Sequence, residues 1–232
     1  MEKIKHIFFD LDNTLWDYRK NAGIAIRVIF EEFEIEKKYG HSFDDFYVHY
    51  YEVNENLWAE YRDEKISRPE LQKRRFPESF ESLGVRNPDF AEDFEKRFME
   101  EVSAGTHLVP HTVEILEYLK NKYKLHIITN GFAQTTQYKI ENSVLKNYFE
   151  TVTTAESAGA PKPNPISFEA GINASKAKVN ESIYIGDDWY ADILGATSFG
   201  MKAIFFNPLD ENHLWIDEVP VIDELNELKN YL

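Results

Sequence analysis

Two aspartates, Asp10 and Asp12, close the run Ile7-Phe8-Phe9-Asp10-Leu11-Asp12-Asn13-Thr14. Carboxylates held that close repel, so the pair is favourable where a cation or a shared proton offsets the charge. Oxygen-rich ligation of this kind suits Mg2+; an Asx-rich turn with solvated charges is the alternative. Thr129-Asn130-Gly131 ends a second apolar run. A hydroxyl, an amide and a glycine whose backbone N–H can be closely approached suit an anion, although Asn-Gly is also a common turn. Gly186-Asp187-Asp188 ends a third run, and Asp192 follows. Capping of a helix start explains one of these three acids well and all three poorly. Lys162 stands in Ala160-Pro161-Lys162-Pro163-Asn164-Pro165, where prolines restrict the backbone. It is either an ordinary loop lysine or the fixed cation that five carboxylates and a phosphate would need.

Chemistry at these positions requires elements that bring them together. Residues 4–9, 125–128, 182–185 and 203–206 are short and apolar without alternation, as strands buried on both faces of a parallel sheet are. Residues 149–153 are a weaker fifth candidate. Helical patterns lie between them: Val113, Leu116 and Leu119 with the Lys-rich end 120–124 as one helix, then residues 165–172, then 192–199 with Gly200 as a stop. Strand and helix in alternation predict an α/β domain on a doubly wound parallel sheet. Ligands of such sheets bind beyond the carboxyl ends of the strands, where the acids and Thr129-Asn130-Gly131 fall.

The interval from about residue 18 to 105 breaks the alternation. Ile24, Val28, Ile29 and Phe33 make one helical stripe; Phe43, Phe46, Tyr47, Tyr50, Tyr51, Leu57, Trp58 and Tyr61 make an aromatic one. Ser67-Arg68-Pro69-Glu70 has the form of a capping box, and Pro88 precedes a last stretch through Phe90, Phe94, Phe98 and Val102. About four helices are too long for one crossover and long enough for a domain of their own. The expected division is residues 1–17 with 106–232 as the α/β core and 18–105 as an inserted all-helical domain.

Composition excludes other classes. The chain has 232 residues, 26 Lys and Arg against 41 Asp and Glu, a net charge of −15, and no Cys. Without Cys there is no disulfide, no thiolate nucleophile and no Cys-ligated zinc or iron–sulfur site. The acidic balance opposes sequence-independent nucleic-acid binding and anchoring on anionic lipid. No secretory apolar region follows Met1-Glu2-Lys3-Ile4-Lys5, and the apolar runs fall far short of the roughly 20 residues that span a bilayer. The expectation is a soluble cytoplasmic protein. The histidines show no HxH or HExxH pairing and take no catalytic role; His111, beside Pro110, reads as a loop residue before a helix.

In type and order these elements resemble the haloacid dehalogenase-like hydrolase superfamily. Asp10-Leu11-Asp12-Asn13-Thr14-Leu15 is similar to its first motif, Thr129-Asn130-Gly131 to the second, Lys162-Pro163 to the third, and Gly186-Asp187-Asp188 with Asp192 to the fourth. The resemblance covers essentially the whole chain, because the helical insertion sits where that family carries its cap. It implies a Rossmann-like core and a Mg2+-dependent phosphatase. Asp10 would be the nucleophile that forms an aspartyl-phosphate. Asp12 would protonate the leaving alkoxide and then take a proton from water. Mg2+ would be held by the Asp10 carboxylate, the Asp12 backbone carbonyl and Asp187. Thr129, Asn130, Gly131 and Lys162 would surround the phosphoryl oxygens, and Asp188 or Asp192 would act through water or position Lys162. Asp188 departs from the pattern, since a Ser is common there.

The Thr-Asn-Gly motif with a helical cap resembles the pyrimidine 5′-nucleotidase-like branch. This implies nucleoside monophosphates as substrates, with sugar or polyol phosphates, or a phosphomutase reaction, as alternatives. A 2-haloacid dehalogenase shares the fold and the Asp nucleophile, but a halide leaves without a proton, so Asp12 argues against it. A receiver-type signalling module is shorter, lacks the insertion, and carries its acidic pair and phosphorylated Asp on different strands. The cap is expected to exclude water from the site. Its aromatic residues either form its own core or stack on a nucleobase. Lys73, Arg74 and Arg75, with Arg68 nearby, are either a solvated face or a contact for an anionic substrate. The expected partner is a small phosphomonoester, with no nucleic acid polymer and no membrane, acting on a monomer or homodimer.

Overall fold

Six parallel strands make a single sheet in the computed structural model, which describes residues 3–86, 88–210 and 219–232. Met1 and Glu2 of the N-terminal reading lie outside the described residues. The chain runs β1 (His6–Phe9), then α1 (Tyr18–Glu32), α2 (Ile35–Tyr39), α3 (Phe43–Arg62), α4 (Arg68–Ser82) and α5 (Ala91–Ser103). It returns through α6 (Thr112–Leu119), β2 (Lys124–Thr129), α7 (Ala133–Glu141), β3 (Phe149–Thr154) and the short α8 (Ala155–Ala158). It ends with α9 (Pro165–Ser175), β4 (Ser182–Gly186), α10 (Gly195–Phe199), β5 (Lys202–Phe206) and β6 (Val221–Ile222). Two compact units result, Met1–Tyr18 with Thr106–Leu232, and Arg19–Gly105.

The strand order is β3-β2-β1-β4-β5-β6. The chain therefore winds one way from β1 and the other way from β4, and the crevice of an open sheet lies where the direction reverses. The strands at that point, β1 and β4, are buried along their whole length. That is why their sequences carry no polar alternation. Strand β3, at the sheet edge, does alternate, with Glu150 and Val152 exposed, which accounts for its weaker signal. Strand β6 has only two residues and no readable period.

Helix α9 starts as the sequence reading expects, with Asn164 accepting from the Ile166 N–H at 3.1 Å and Pro165 in the first turn. Residues 192–199 are not one helix. A π-helical turn over Trp189–Leu194 precedes α10, and Gly200 closes it at φ +95°. No helix among the described residues is long and apolar enough to cross a membrane.

Of the aromatic stripe in the helical unit, Phe46, Tyr50 and Leu57 are buried and Phe43, Tyr47, Trp58 and Tyr61 are half-buried. Tyr51 is exposed. Phe76 and Phe80 of α4 and Phe94 and Phe98 of α5 are also buried, with Phe46 stacked 4.5 Å from Phe80. The stripe assigned to α1 needs correction: Ile24 and Val28 are exposed, and the helix buries Ala22, Ala25, Ile26, Ile29 and Phe30. Residues 24 and 28 each lie two positions from Ile26, about 200° around the helix, so one face cannot hold all three. Glu70 accepts from the Ser67 N–H at 2.8 Å, which completes the reciprocal half of the capping box. Arg74 is bonded to Glu60 and Glu78, and Arg75 is buried against Glu95. Two of the three basic residues in that run are thus engaged within their own unit.

Candidate active site

The last residues of β1 and β4 stay in register beyond the strands, with the Asp10 N–H donating to the Ile185 carbonyl at 2.9 Å. This places Asp10 beside the Gly186-Asp187-Asp188 turn. Oxygen atoms of Asp10, Asp187 and Asp192 all lie within 4.8 Å of one another. Three carboxylates this close form a hard, oxygen-only donor set, which fits Mg2+. Burial, and then the charges of Asp10 and Asp192, push the Asp187 carboxyl well above its ordinary pKa, against the hydroxyl of buried Thr14, which donates to Oδ1 at 2.8 Å. Burial raises Asp10 to about 7, with Lys162 opposing and Asp192 and Asp12 adding to the rise. A divalent cation would relieve this repulsion.

Lys162 is 2 % exposed and its ammonium reaches three acceptors: Asp10 Oδ1 at 2.6 Å, Asp192 Oδ1 at 2.6 Å and the Tyr184 hydroxyl at 2.7 Å. Burial disfavours the charge, but Asp10 and Asp192 outweigh it and hold the lysine above its ordinary pKa. Asp192 also accepts from the Asp188 N–H through Oδ2 at 3.1 Å. Gly186 sits against this group so closely that a Cβ there would collide with the Asp192 carboxylate. The Asp188 side chain points elsewhere and accepts from the Tyr190 and Ala191 N–H groups at 2.9 and 2.8 Å. Of the two accessory acids, Asp192 holds Lys162 and Asp188 caps the turn.

The second motif divides in the same way. Asn130 donates to the Lys162 carbonyl at 2.9 Å and accepts from the Lys162 N–H at 2.7 Å. These two bonds tie Asn130 to the Lys162 backbone, and its amide nitrogen keeps a second hydrogen for the phosphoryl oxygen that the sequence reading expects it to meet. The Thr129 hydroxyl accepts from the Gly131 N–H at 3.0 Å and, as a hydroxyl, still has a hydrogen to donate. Gly131 is required by space: a Cβ there would lie 2.9 Å from Thr136 Oγ1, 3.2 Å from Asp12 Oδ2 and 3.3 Å from Thr129 Oγ1.

Asp12 does not join the acidic cluster. Its Oδ1 accepts from Lys139 at 2.6 Å, and Lys139 lies 3.9 Å over the Trp16 ring. Lys139, Thr14 and Tyr184 were not singled out by sequence reasoning. For Lys139 the available signal was its place beside Thr136 and Ile140 on the inward face of α7.

Residues 7–206 match the family described as haloacid dehalogenase-like hydrolase. The chain is 29 % identical over 202 residues to the pyrimidine 5′-nucleotidase YjjG of Escherichia coli (strain K12), covering 87 % of this chain and 85 % of that protein. It is 33 % identical over 219 residues to a glyceraldehyde 3-phosphate phosphatase of Pyrococcus furiosus, covering 89 % and 82 %. Among solved structures it is similar to the magnesium-bound HAD-hydrolase YfnB of Bacillus subtilis, with a TM-score of 0.89 over 99 % of each chain at 23 % identity.

Proposed function

The chain belongs to the haloacid dehalogenase-like hydrolases, and from that premise we propose that it is a Mg2+-dependent phosphatase acting on small phosphomonoesters through a phosphorylated Asp10. The observation that carries this reading is the separate housing of two neighbouring carboxylates. Asp10 lies in the Lys162–Asp187–Asp192 cluster, while Asp12 turns to Lys139. One is set up as a nucleophile and the other as an acid–base group.

Mg2+, held by Asp10, Asp187 and the Asp12 backbone carbonyl, would supply charge neutralisation at the phosphoryl oxygens. Lys162 holds the Asp10 carboxylate, and the Thr129 hydroxyl donates to a phosphoryl oxygen. As the bond from Asp10 to phosphorus forms, the bond from phosphorus to the leaving oxygen breaks, and Asp12 gives that oxygen its proton. Water then attacks phosphorus, Asp12 takes its proton, and the bond to Asp10 breaks. The proton on the leaving group is what distinguishes this reaction from dehalogenation.

Nucleoside 5′-monophosphates are the leading substrate class, supported by the likeness to YjjG. Small sugar phosphates are a second class, supported by the relative named for glyceraldehyde 3-phosphate. Asp10→Asn should abolish turnover of 4-nitrophenyl phosphate in Mg2+ while the protein stays folded, and EDTA should do the same to the unaltered chain. Retained turnover in Asp10→Asn removes the nucleophile assignment, and metal-independent halide release from a 2-haloacid would favour the dehalogenase. Comparing kcat/KM across nucleoside monophosphates and sugar phosphates decides the substrate class.

A further inference from the structure

Helix α7 turns Thr136, Lys139 and Ile140 inward. Thr and Ile are ordinary there, whereas a lysine 4 % exposed is not. Its ammonium lies 2.6 Å from Asp12 Oδ1, 3.9 Å from the centre of the Trp16 ring and 5.5 Å from that of Tyr18. A buried ion pair is a weak source of stability, because desolvation offsets most of the attraction and an apolar pair of similar volume often does as well. What such a pair does supply is a fixed orientation for the carboxylate.

That orientation separates the two oxygens of Asp12. Oδ1 is taken by Lys139. Oδ2 and the Thr129 hydroxyl both lie close to Gly131, 3.2 and 3.3 Å from the position a Cβ would take there. Thr136 Oγ1 lies near the same glycine, 2.9 Å from that position, and, though buried, has no hydrogen-bond partner among the described residues. We propose that Lys139 is a positioning residue for the acid–base step, holding Oδ1 so that Oδ2 carries the proton to and from the reacting oxygens. This rests on the reading of Asp12 as the acid. As the proton moves from Oδ2 to the leaving oxygen, negative charge grows on the carboxylate, and the fixed ammonium meets it without rearrangement. When water attacks in the second step, the same oxygen is already aimed to take its proton.

The test uses two esters of one phosphoryl group. A nitrophenolate leaves without a proton, whereas the alkoxide of a nucleoside 5′-monophosphate or another alkyl phosphate needs one. Lys139→Met should lower the single-turnover rate of leaving-group release from the alkyl ester, which reads the first step alone, by about 10–100-fold, a share of the effect usual for general acid catalysis. It should lower the single-turnover release of nitrophenolate from 4-nitrophenyl phosphate, which needs no proton, by less than about 3-fold and leave both half-saturating concentrations within about 2-fold. Lys139→Arg, which restores a cation, should recover much of the alkyl-ester rate. Lys139→Gln, which keeps a polar group beside Asp12, gives the same comparison if the Met variant does not fold. An equal loss on both esters, or no loss on either, overturns the proposal. Failure of the phosphatase reading looks different: Mg2+-dependent turnover is then missing, or survives Asp10→Asn, in proteins that retain Lys139.

Discussion

At the scale of single residues, Lys162 is the group on which the acids of the site depend. Its three ammonium hydrogens match three acceptors, Asp10, Asp192 and Tyr184, all on buried side chains. Replacing it with methionine keeps the volume and leaves two buried carboxylates without their cation. Breaking a buried pair in this way costs about 3–5 kcal/mol. Lys162→Met should therefore lose about 3 kcal/mol of unfolding free energy in EDTA, measured by urea denaturation at pH 7; a loss below about 1 kcal/mol would mean that the carboxylates are relieved by solvent. Lys162, Asp10, Asp187, Asp188 and Asp192 were legible in the sequence because they end or closely follow apolar runs or stand between prolines. Tyr184 was not, since within a strand its ring reads as core and only the packed sheet shows its hydroxyl donating to the Ile128 carbonyl at 2.7 Å. The fates of Asp188 and Asn130 were also hidden, because an acid or amide in a turn has the same sequence signature whether it faces a ligand or a backbone N–H.

At the scale of elements, the seam between β1 and β2 contains a feature that the catalytic reading leaves unused. His6 and His126 are paired across the strands, Nδ1 to Nε2 at 3.0 Å, and His126 Nδ1 meets the Thr151 hydroxyl on β3 at 2.9 Å. Burial, then the neighbouring His6, lowers His126 to about 4. The sign follows directly: between about pH 6.5 and 4 the unfolded chain binds this proton and the folded chain does not. The contribution is therefore fully present above pH 6.5 and is lost as pH falls, by about 3 kcal/mol at pH 4. Urea unfolding of the unaltered chain and of His126→Gln at pH 7 and pH 4.5 should show the smaller pH dependence in the variant. Equal slopes would mean that the pair takes up its proton without unfolding. The central strands that frame this seam were readable, because burial on both faces removes alternation. The π-helical turn after β4 was not: its residues have an ordinary helical pattern, and its wider winding accompanies the Asp188 cap and the Asp192 contact to Lys162, which only the folded chain shows.

At the scale of the whole molecule, a net charge of −15 sets a condition on any anionic substrate. Long-range repulsion of a phosphate dianion is screened beyond about 8 Å at physiological ionic strength, but charges inside the site are screened much less. At the strand ends Asp10, Asp187 and Asp192 cluster beside one lysine, whose hydrogens go to Asp10, Asp192 and Tyr184. Without a divalent cation that group is a poor receptor for phosphate, and salt cannot repair it because the repulsion is local. Inorganic phosphate should therefore bind at least about 100-fold more weakly in EDTA than in Mg2+, a difference of about 2.7 kcal/mol measured by titration calorimetry. Raising KCl from about 20 to 200 mM in EDTA should not restore the affinity, because an ionic atmosphere screens the outer surface and not the buried acids. Equal affinity with and without Mg2+ would assign phosphate binding to Lys162 and Thr129 alone and leave the acidic cluster without a cation to explain it.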